Sequence, residues 1–230
     1  MGLVLANHHH APDTPWDWQS YDQLSVIPEP LRQEFSHSLF VNRGTCEDHT
    51  SVHGFMEGYS SASLPPQDVW NVSCTGGWTG GNYLGSVADV ARYTHALYSV
   101  TAPRIVKAAS LRDMLNFTAP SRPGHEAFKF YGMGTFNLDW SVDANRSVPA
   151  YGHVGDTYGY QSQATYAPGL DFALSVGTNV ETNSQAQPAE ATCLAYNEIA
   201  ALLAGKPPPS CTFVVPHRFI GTCSCIPGDE

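Results

Sequence analysis

A histidine two residues before a glycine, on a short apolar strand, is the part of this sequence best suited to chemistry. It stands in Tyr151-Gly-His-Val-Gly-Asp-Thr-Tyr-Gly-Tyr160, which runs on through QSQATYAPGLDFALSVGTN to Asn179. A strand edge built as His153-x-Gly155 gives backbone N–H groups room to approach a substrate, because Gly155 has no side chain in the way. Asp156 and Thr157 complete a polar lip on that strand. The plain alternative is a meander that happens to carry a buried or surface histidine, since short motifs match by chance.

The elements around this lip are legible from turn residues and periodicity. Gly159 turns the chain into a second strand of alternating character, and Pro168-Gly169 turns it into a third. The predicted strands are 130–140, 150–154, 159–166 and 172–178. Ser86 is a good N-cap with Asp89 at N3, and Val87, Val90, Ala91, Thr94 and Leu97 fall on one face of the helix that follows. Further helices are predicted at 29–38, 110–116 and 188–203, the last with Pro188 in its first turn and Gly205 beyond its end. Residues 1–85 are irregular and rich in Trp, Pro, Gly and His. Residues 206–230 open with Lys-Pro-Pro-Pro and hold half the cysteines, as a stapled or loose tail.

The stretch GHVGDTYGYQS…TYAPGLDFALSVGTN resembles the third active-site element of the penicillin-recognising serine hydrolases, the group of DD-carboxypeptidases, class C β-lactamases and related esterases. Val52-His-Gly-Phe-Met-Glu-Gly58, the glycine run from Gly76 to Gly81, Gly85-Ser-Val-Ala-Asp-Val-Ala-Arg-Tyr93 and Tyr131-Gly-Met-Gly134 follow the family's order and approximate spacing. The likeness covers residues 50–204 and is nearest the secreted D-Ala-D-Ala carboxypeptidase branch. It implies an α/β (α+β) fold, an antiparallel sheet flanked by helices. It divides the chain into the remainder of a helical domain with active-site loops (1–85), a sheet-plus-helices domain (86–205) and the tail (206–230).

The same resemblance assigns roles. His153 stands where the family places a Lys or His that hydrogen-bonds substrate and steadies charge near the nucleophile. The backbone N–H of Asp156 matches an oxyanion-hole donor, a contribution of typically ~3 kcal/mol when the tetrahedral oxyanion forms. The Asp156 carboxylate is compatible with that role only if it points away. Thr157 and Tyr160 are expected to line the pocket, and Trp78, in the GGWTGG loop, to form an aromatic wall or else a core contact. The substrate expected is a small molecule or peptide carrying an amide or ester, and no cofactor or metal is implied.

Two family elements are missing from the sequence. The family's nucleophile sits in Ser-x-x-Lys, whose lysine helps take the hydroxyl proton. Here Lys107 follows Arg104, Lys129 follows Glu126 and Lys206 follows Leu203 at that spacing. A Tyr-x-Asn or Ser-x-Asn loop is not recognisable either. Met1-Gly-Leu-Val-Leu-Ala-Asn7 looks like the helix that follows that loop in the family. The expectation is therefore a C-terminal portion of a longer hydrolase, inactive alone, with an open sheet edge that invites self-association. The rival expectations are a binding protein of the same fold that has lost its nucleophile and a small zinc hydrolase using His49 and His53.

Composition narrows the partners. With 21 acidic against 11 basic residues the net charge is −10, which disfavours nucleic acid and anionic lipid. No apolar run is long enough to span a membrane. Six cysteines, at 46, 74, 193, 211, 223 and 225, accompany three Asn-x-Ser/Thr sequons at Asn71, Asn116 and Asn145. An even cysteine count with sequons suits a secreted protein. Other constellations are weaker. His49 and His53 have the helical spacing of a zinc pair but no evident third ligand. His8-His9-His10 suits a solvated helix end, and Gly58-Tyr-Ser60-Ser-Ala62 only loosely follows a nucleophile elbow. Glu126, Asp139 and Asp143 show no paired-carboxylate logic.

Overall fold

The computed structural model describes residues 2–56, 65–71, 74–101, 105–117, 131–143, 147–157, 159–181 and 186–211. In chain order the helices are α1 (Gly2–His9), α2 (Glu29–Arg32), α3 (Val87–Tyr98), α4 (Ala108–Met114), α5 (Asp139–Val142) and α6 (Ala186–Ala204). The strands are β1 (Leu39–Phe40), β2 (Phe55–Met56), β3 (Gln67–Asp68), β4 (Tyr83–Leu84), β5 (Phe136–Asn137), β6 (Tyr151–Thr157), β7 (Tyr160–Ala167), β8 (Phe172–Thr178) and β9 (Val180–Glu181). Short 3-10 turns fill much of the N-terminal part, at Trp18–Ser20, Gln23–Val26, Cys46–Asp48 and Cys74–Gly80.

An antiparallel sheet in the order β5-β6-β7-β8 forms the centre. Two turns set its register. Thr157 pairs with Tyr160 across a turn at Gly159, which sits at φ +85°. Ala167 pairs with Phe172 across Pro168–Asp171. Asp171 holds a left-handed φ of +47° without being glycine. Its carboxylate accepts hydrogen bonds from Ser99 Oγ and Tyr166 Oη, both at 2.7 Å, and from Thr101 Oγ1. These bonds hold its pKa down at about 2 and tie the β7–β8 turn to the end of α3.

Alternation along the strands gives the sheet two packed faces. Tyr151, Tyr166 and Ala173 share one face with Leu97 and Tyr98 of α3 and Leu111 of α4. Val154, Ala167 and Phe172 share the other with Leu138, Val142 of α5 and Tyr196 of α6. Leu138 and Val142 have no exposed surface, a contribution of ~2 kcal/mol each by burial. A third cluster sets Ile27, Leu31 and Phe35 against Ala96 of α3. Among the described residues no helix is long and apolar enough to cross a membrane.

Ser86 caps α3 as its sequence predicts, its side chain accepting from Asp89 N at 3.0 Å. Asp89 is almost fully buried. Desolvation works to raise its pKa, but hydrogen bonds from Ser38 Oγ and His37 N and the charge of Arg92 outweigh it, and the net shift is downward. Three boundaries differ from expectation. Val87 lies half exposed rather than on the packed face. Among the described residues the strand predicted over 130–140 is a strand only at Phe136–Asn137, with an isolated bridge at Tyr131, and then coils into α5. Asn137 ends it, because its side-chain oxygen accepts from Asp139 N at 3.1 Å, a local bond that competes with the ladder. The helix expected at 29–38 is confined to Glu29–Arg32. Cys193 is bonded to Cys211, which staples the start of the tail to α6, and Cys46 is also disulfide-bonded. Ser60, Glu126, Cys223 and Cys225 lie outside the described residues, as do parts of all three sequons.

Candidate active site

The site begins with a sheet edge. Leu138 N donates to Ala150 O at 2.8 Å, so Ala150 turns its backbone groups toward β5. With a period of two, Gly152, Val154 and Asp156 turn theirs to the same side. The pairing with β5 stops at Phe136↔Gly152. From His153 onward, no strand among the described residues covers that side of β6. Val154 and Asp156 therefore direct backbone N–H and C=O groups, roughly 7 Å apart, to an edge that no strand among the described residues covers.

His153 folds back onto this edge. Its Nδ1 lies 2.6 Å from Val154 O, and its Nε2 lies 3.0 Å from Tyr131 Oη. The ring sits edge-on to Phe136 at 5.0 Å and to Tyr131 at 5.7 Å between centroids. The residue keeps an exposed surface, but the protein atoms crowded around the ring strip away part of its water. That desolvation lowers the His153 pKa, and the bond to Val154 O opposes the shift only in part. The imidazole is therefore neutral at physiological pH. Burial likewise raises the Tyr131 pKa, which keeps its O–H intact.

Alternation also disposes of the Asp156 carboxylate. Asp156 pairs with Gln161, and its Oδ1 accepts from Gln161 Nε2 at 3.3 Å on the face opposite His153. The acidic side chain points away from the edge while the backbone N–H of the same residue faces it. That arrangement is the one an oxyanion donor at Asp156 N–H requires.

Gly155 departs from expectation. A Cβ there would stand 2.5 Å from Ser162 Oγ, its cross-strand neighbour. A side chain at 155 would make the Ser162 hydroxyl turn, so the glycine also serves the β6–β7 hairpin. Tyr160 is a post rather than a free wall. Its ring covers Gly54, and its hydroxyl donates to Val52 O at 2.6 Å. Thr157 closes the hairpin through its backbone, and its side chain lies outside the described residues. Trp78 is placed against Trp18, ring centroids 4.7 Å apart, at a strained φ of +33°. Gly2 of α1 packs against the neighbouring Thr79, and no described contact joins Trp78 to His153.

Sequence reasoning missed two partners. Tyr131 was visible only as the first residue of Tyr131-Gly-Met-Gly134. That turn is locked by Gly132 N donating to Thr135 O and Met133 N donating to Met114 O. Asp68 was not singled out. Its Oδ2 lies 2.6 Å from His53 Nδ1, and the His53 ring stacks on Trp70 at 4.5 Å and 3°. The hydrogen bond from His53 leads the causes that lower the Asp68 pKa. The pairing Phe55↔Asp68 sets His53 opposite Trp70 and Gly54 opposite Val69. Gly54 and Val69 meet the Gly159 turn, so His53 faces away from the hairpin. His49 follows a 3-10 turn and His53 lies in extended chain, which removes the helical register a zinc pair would need. Among the described residues no three His, Cys, Asp or Glu side chains are grouped to hold a metal ion.

No protein-family model and no curated protein matches the sequence. Solved structures do. The chain is similar to a D-stereospecific amidohydrolase from Streptomyces sp., with TM-score 0.55 and 18% identity over 80% of this chain and 47% of that one. It is similar to the D-amino acid amidase from Ochrobactrum anthropi SV3 complexed with L-phenylalanine amide, with TM-score 0.61 and 16% identity over 86% of this chain and 55% of that one. The same amidase complexed with D-phenylalanine gives TM-score 0.53 and 18% identity, over 89% of this chain and 54% of that one. The chain thus spans about half the length of these enzymes. Its antiparallel sheet flanked by helices is the fold of the penicillin-recognising serine hydrolases.

Proposed function

We propose that this chain carries the His-x-Gly half of the active site of a serine amidohydrolase, which is acylated at a serine and then hydrolyses the acyl-enzyme. The observation that carries the reading is the open edge of β6. There His153 and the outward backbone N–H of Asp156 stand on one side, with the Asp156 carboxylate on the other. Such an edge suits a carbonyl whose oxygen gains negative charge, since fixed donors stabilise it most in the transition state. Solved structures of this fold named as a D-stereospecific amidohydrolase and a D-amino acid amidase support a small amide or ester of an amino acid as substrate. The resemblance to the D-Ala-D-Ala carboxypeptidase branch supports the same class.

No Ser-x-x-Lys occurs in the 230 residues, so the reading includes a nucleophile contributed by a segment outside this sequence. The 230-residue chain alone is then catalytically silent. The disulfide at Cys193–Cys211 and the sequons support secretion. A second reading, a binding protein that keeps the pocket edge without a nucleophile, draws on the same missing motif. Translating the frame upstream of Met1 tests the first reading against the second. An in-frame Ser-x-x-Lys, followed by a Tyr-x-Asn or close variant shortly before Met1, supports the hydrolase. A stop codon just upstream overturns it in favour of the binding protein.

A further inference from the structure

The two nitrogens of His153 have unequal partners, and this fixes what the ring can do. Nδ1 lies 2.6 Å from Val154 O. A carbonyl only accepts, so Nδ1 carries the proton. Nε2 of the neutral ring is then a lone pair, and Tyr131 Oη, 3.0 Å away, donates to it. Both partners are rigid. Val154 is held by the β6–β7 ladder. Tyr131 is held by its bridge to Phe136, by ring contact with Phe136 at 4.3 Å, and by the locked turn after it. The carboxylate nearest in the strand, Asp156, is on the opposite face and engaged by Gln161.

We infer that Tyr131 is a positioning residue which, with the Val154 carbonyl, holds His153 as an imidazole protonated at Nδ1, so that Nε2 is an acceptor whose lone pair the Tyr131 hydroxyl occupies until a substrate hydroxyl takes its place. This rests on the hydrolase reading above and sharpens it. A family lysine at this place can only donate, whereas His153 set in this way accepts. The tyrosine shows the geometry, since its own hydroxyl occupies the acceptor. It also implies that the site prefers a partner bearing O–H over a carboxylate, which Nε2 would repel.

The test needs no turnover and uses the 230-residue chain labelled with 15N-histidine. Imidazole nitrogen shifts are followed by NMR from about pH 8 to about pH 5, the range in which histidine titrates, in the wild type and in Tyr131→Phe. The variant keeps the ring on Phe136 and loses only the hydroxyl. The wild type is expected to show His153 protonated at Nδ1 and bare at Nε2. Tyr131→Phe is expected to move the Nε2 resonance of the neutral ring downfield, toward that of an unbonded acceptor nitrogen, because the lone pair loses a donated hydrogen bond. An Nε2–H ring in the wild type, or an unchanged Nε2 resonance in the variant, overturns the inference. If Tyr131→Phe fails to fold, the wild-type tautomer alone still decides. A purely packing role would lower the melting midpoint and leave the tautomer and the Nε2 resonance unmoved. Failure of the upstream frame to encode a nucleophile would sink the hydrolase reading while leaving these shifts as measured.

Discussion

Two histidines in this molecule are bound almost equally tightly and are set up for different behaviour. His153 has a carbonyl at Nδ1 and a phenol at Nε2, with aromatic rings around it. His53 has a carboxylate at Nδ1 and lies flat on Trp70, its side chain half exposed. Desolvation disfavours charge on the first ring, whereas the second stands against a carboxylate. The first lies on the open edge of β6. The second is turned away from the same hairpin by a single step of strand alternation. Proximity in the fold therefore does not make the His53–Asp68 pair part of the site, and a short distance between acid and base is not by itself a catalytic dyad.

The two regions touch at Gly159, and breaking that contact has the largest expected effect. A Cβ there would stand 2.6 Å from Gly54 C and from Val69 Cγ2, at a φ of +85°. Gly159→Ala should cost about 3 kcal/mol from backbone strain and overpacking together, read as a lowered midpoint in urea. A neutral result would mean that the β2–β3 ladder does not rest on the turn. The next effect separates structure from substrate at Gly155. Gly155→Ala should cost about 1–2 kcal/mol against Ser162 Oγ, and adding Ser162→Ala should recover most of it. No recovery would mean that the clash lies elsewhere.

The pH dependence of stability distinguishes the two histidine regions without any substrate. The lowered His153 pKa means that the unfolded chain takes up the proton more readily. Its contribution is complete above the unfolded value near 6.5 and is lost as pH falls below it. His153→Phe should flatten the melting-temperature profile between about pH 7 and pH 5. Asp68 is also lowered, so its contribution is complete above the unfolded carboxylate value near 3.8 and fades below it. Asp68→Asn should alter only that acid end, and least of all these changes, because the pair is exposed. A profile that His153→Phe leaves unchanged near neutrality would place the ring in water.

The strands carrying the site could be read closely from sequence because turn chemistry and burial agree there. Gly159 and Pro168-Gly169 fix two tight hairpins, and the uncharged run Phe172 to Thr178 appears as β8 with the predicted ends. Agreement was poorer where a side chain competes with the backbone, as Asn137 does in ending β5. The direction of the Asp156 carboxylate followed from register, which composition does not reveal. Tyr131 and His153 are 22 positions apart, so their contact depends on the β5–β6 pairing and has no local signature. For Trp78 the sequence left an aromatic wall and a core contact equally open; its ring packs on Trp18, a direction that a glycine-rich loop does not reveal in sequence.

Whether the β6 edge or the His53–Asp68 pair faces substrate is decided by titrating 15N-labelled protein with D-phenylalanine amide and following amide and imidazole resonances. If the edge is the site, saturable shifts appear at Asp156 N–H and His153 Nε2, with His53 and Trp70 unmoved. Saturable shifts centred on His53 and Trp70, or a silent β6 edge at millimolar amide, would show that the edge is not where substrate binds.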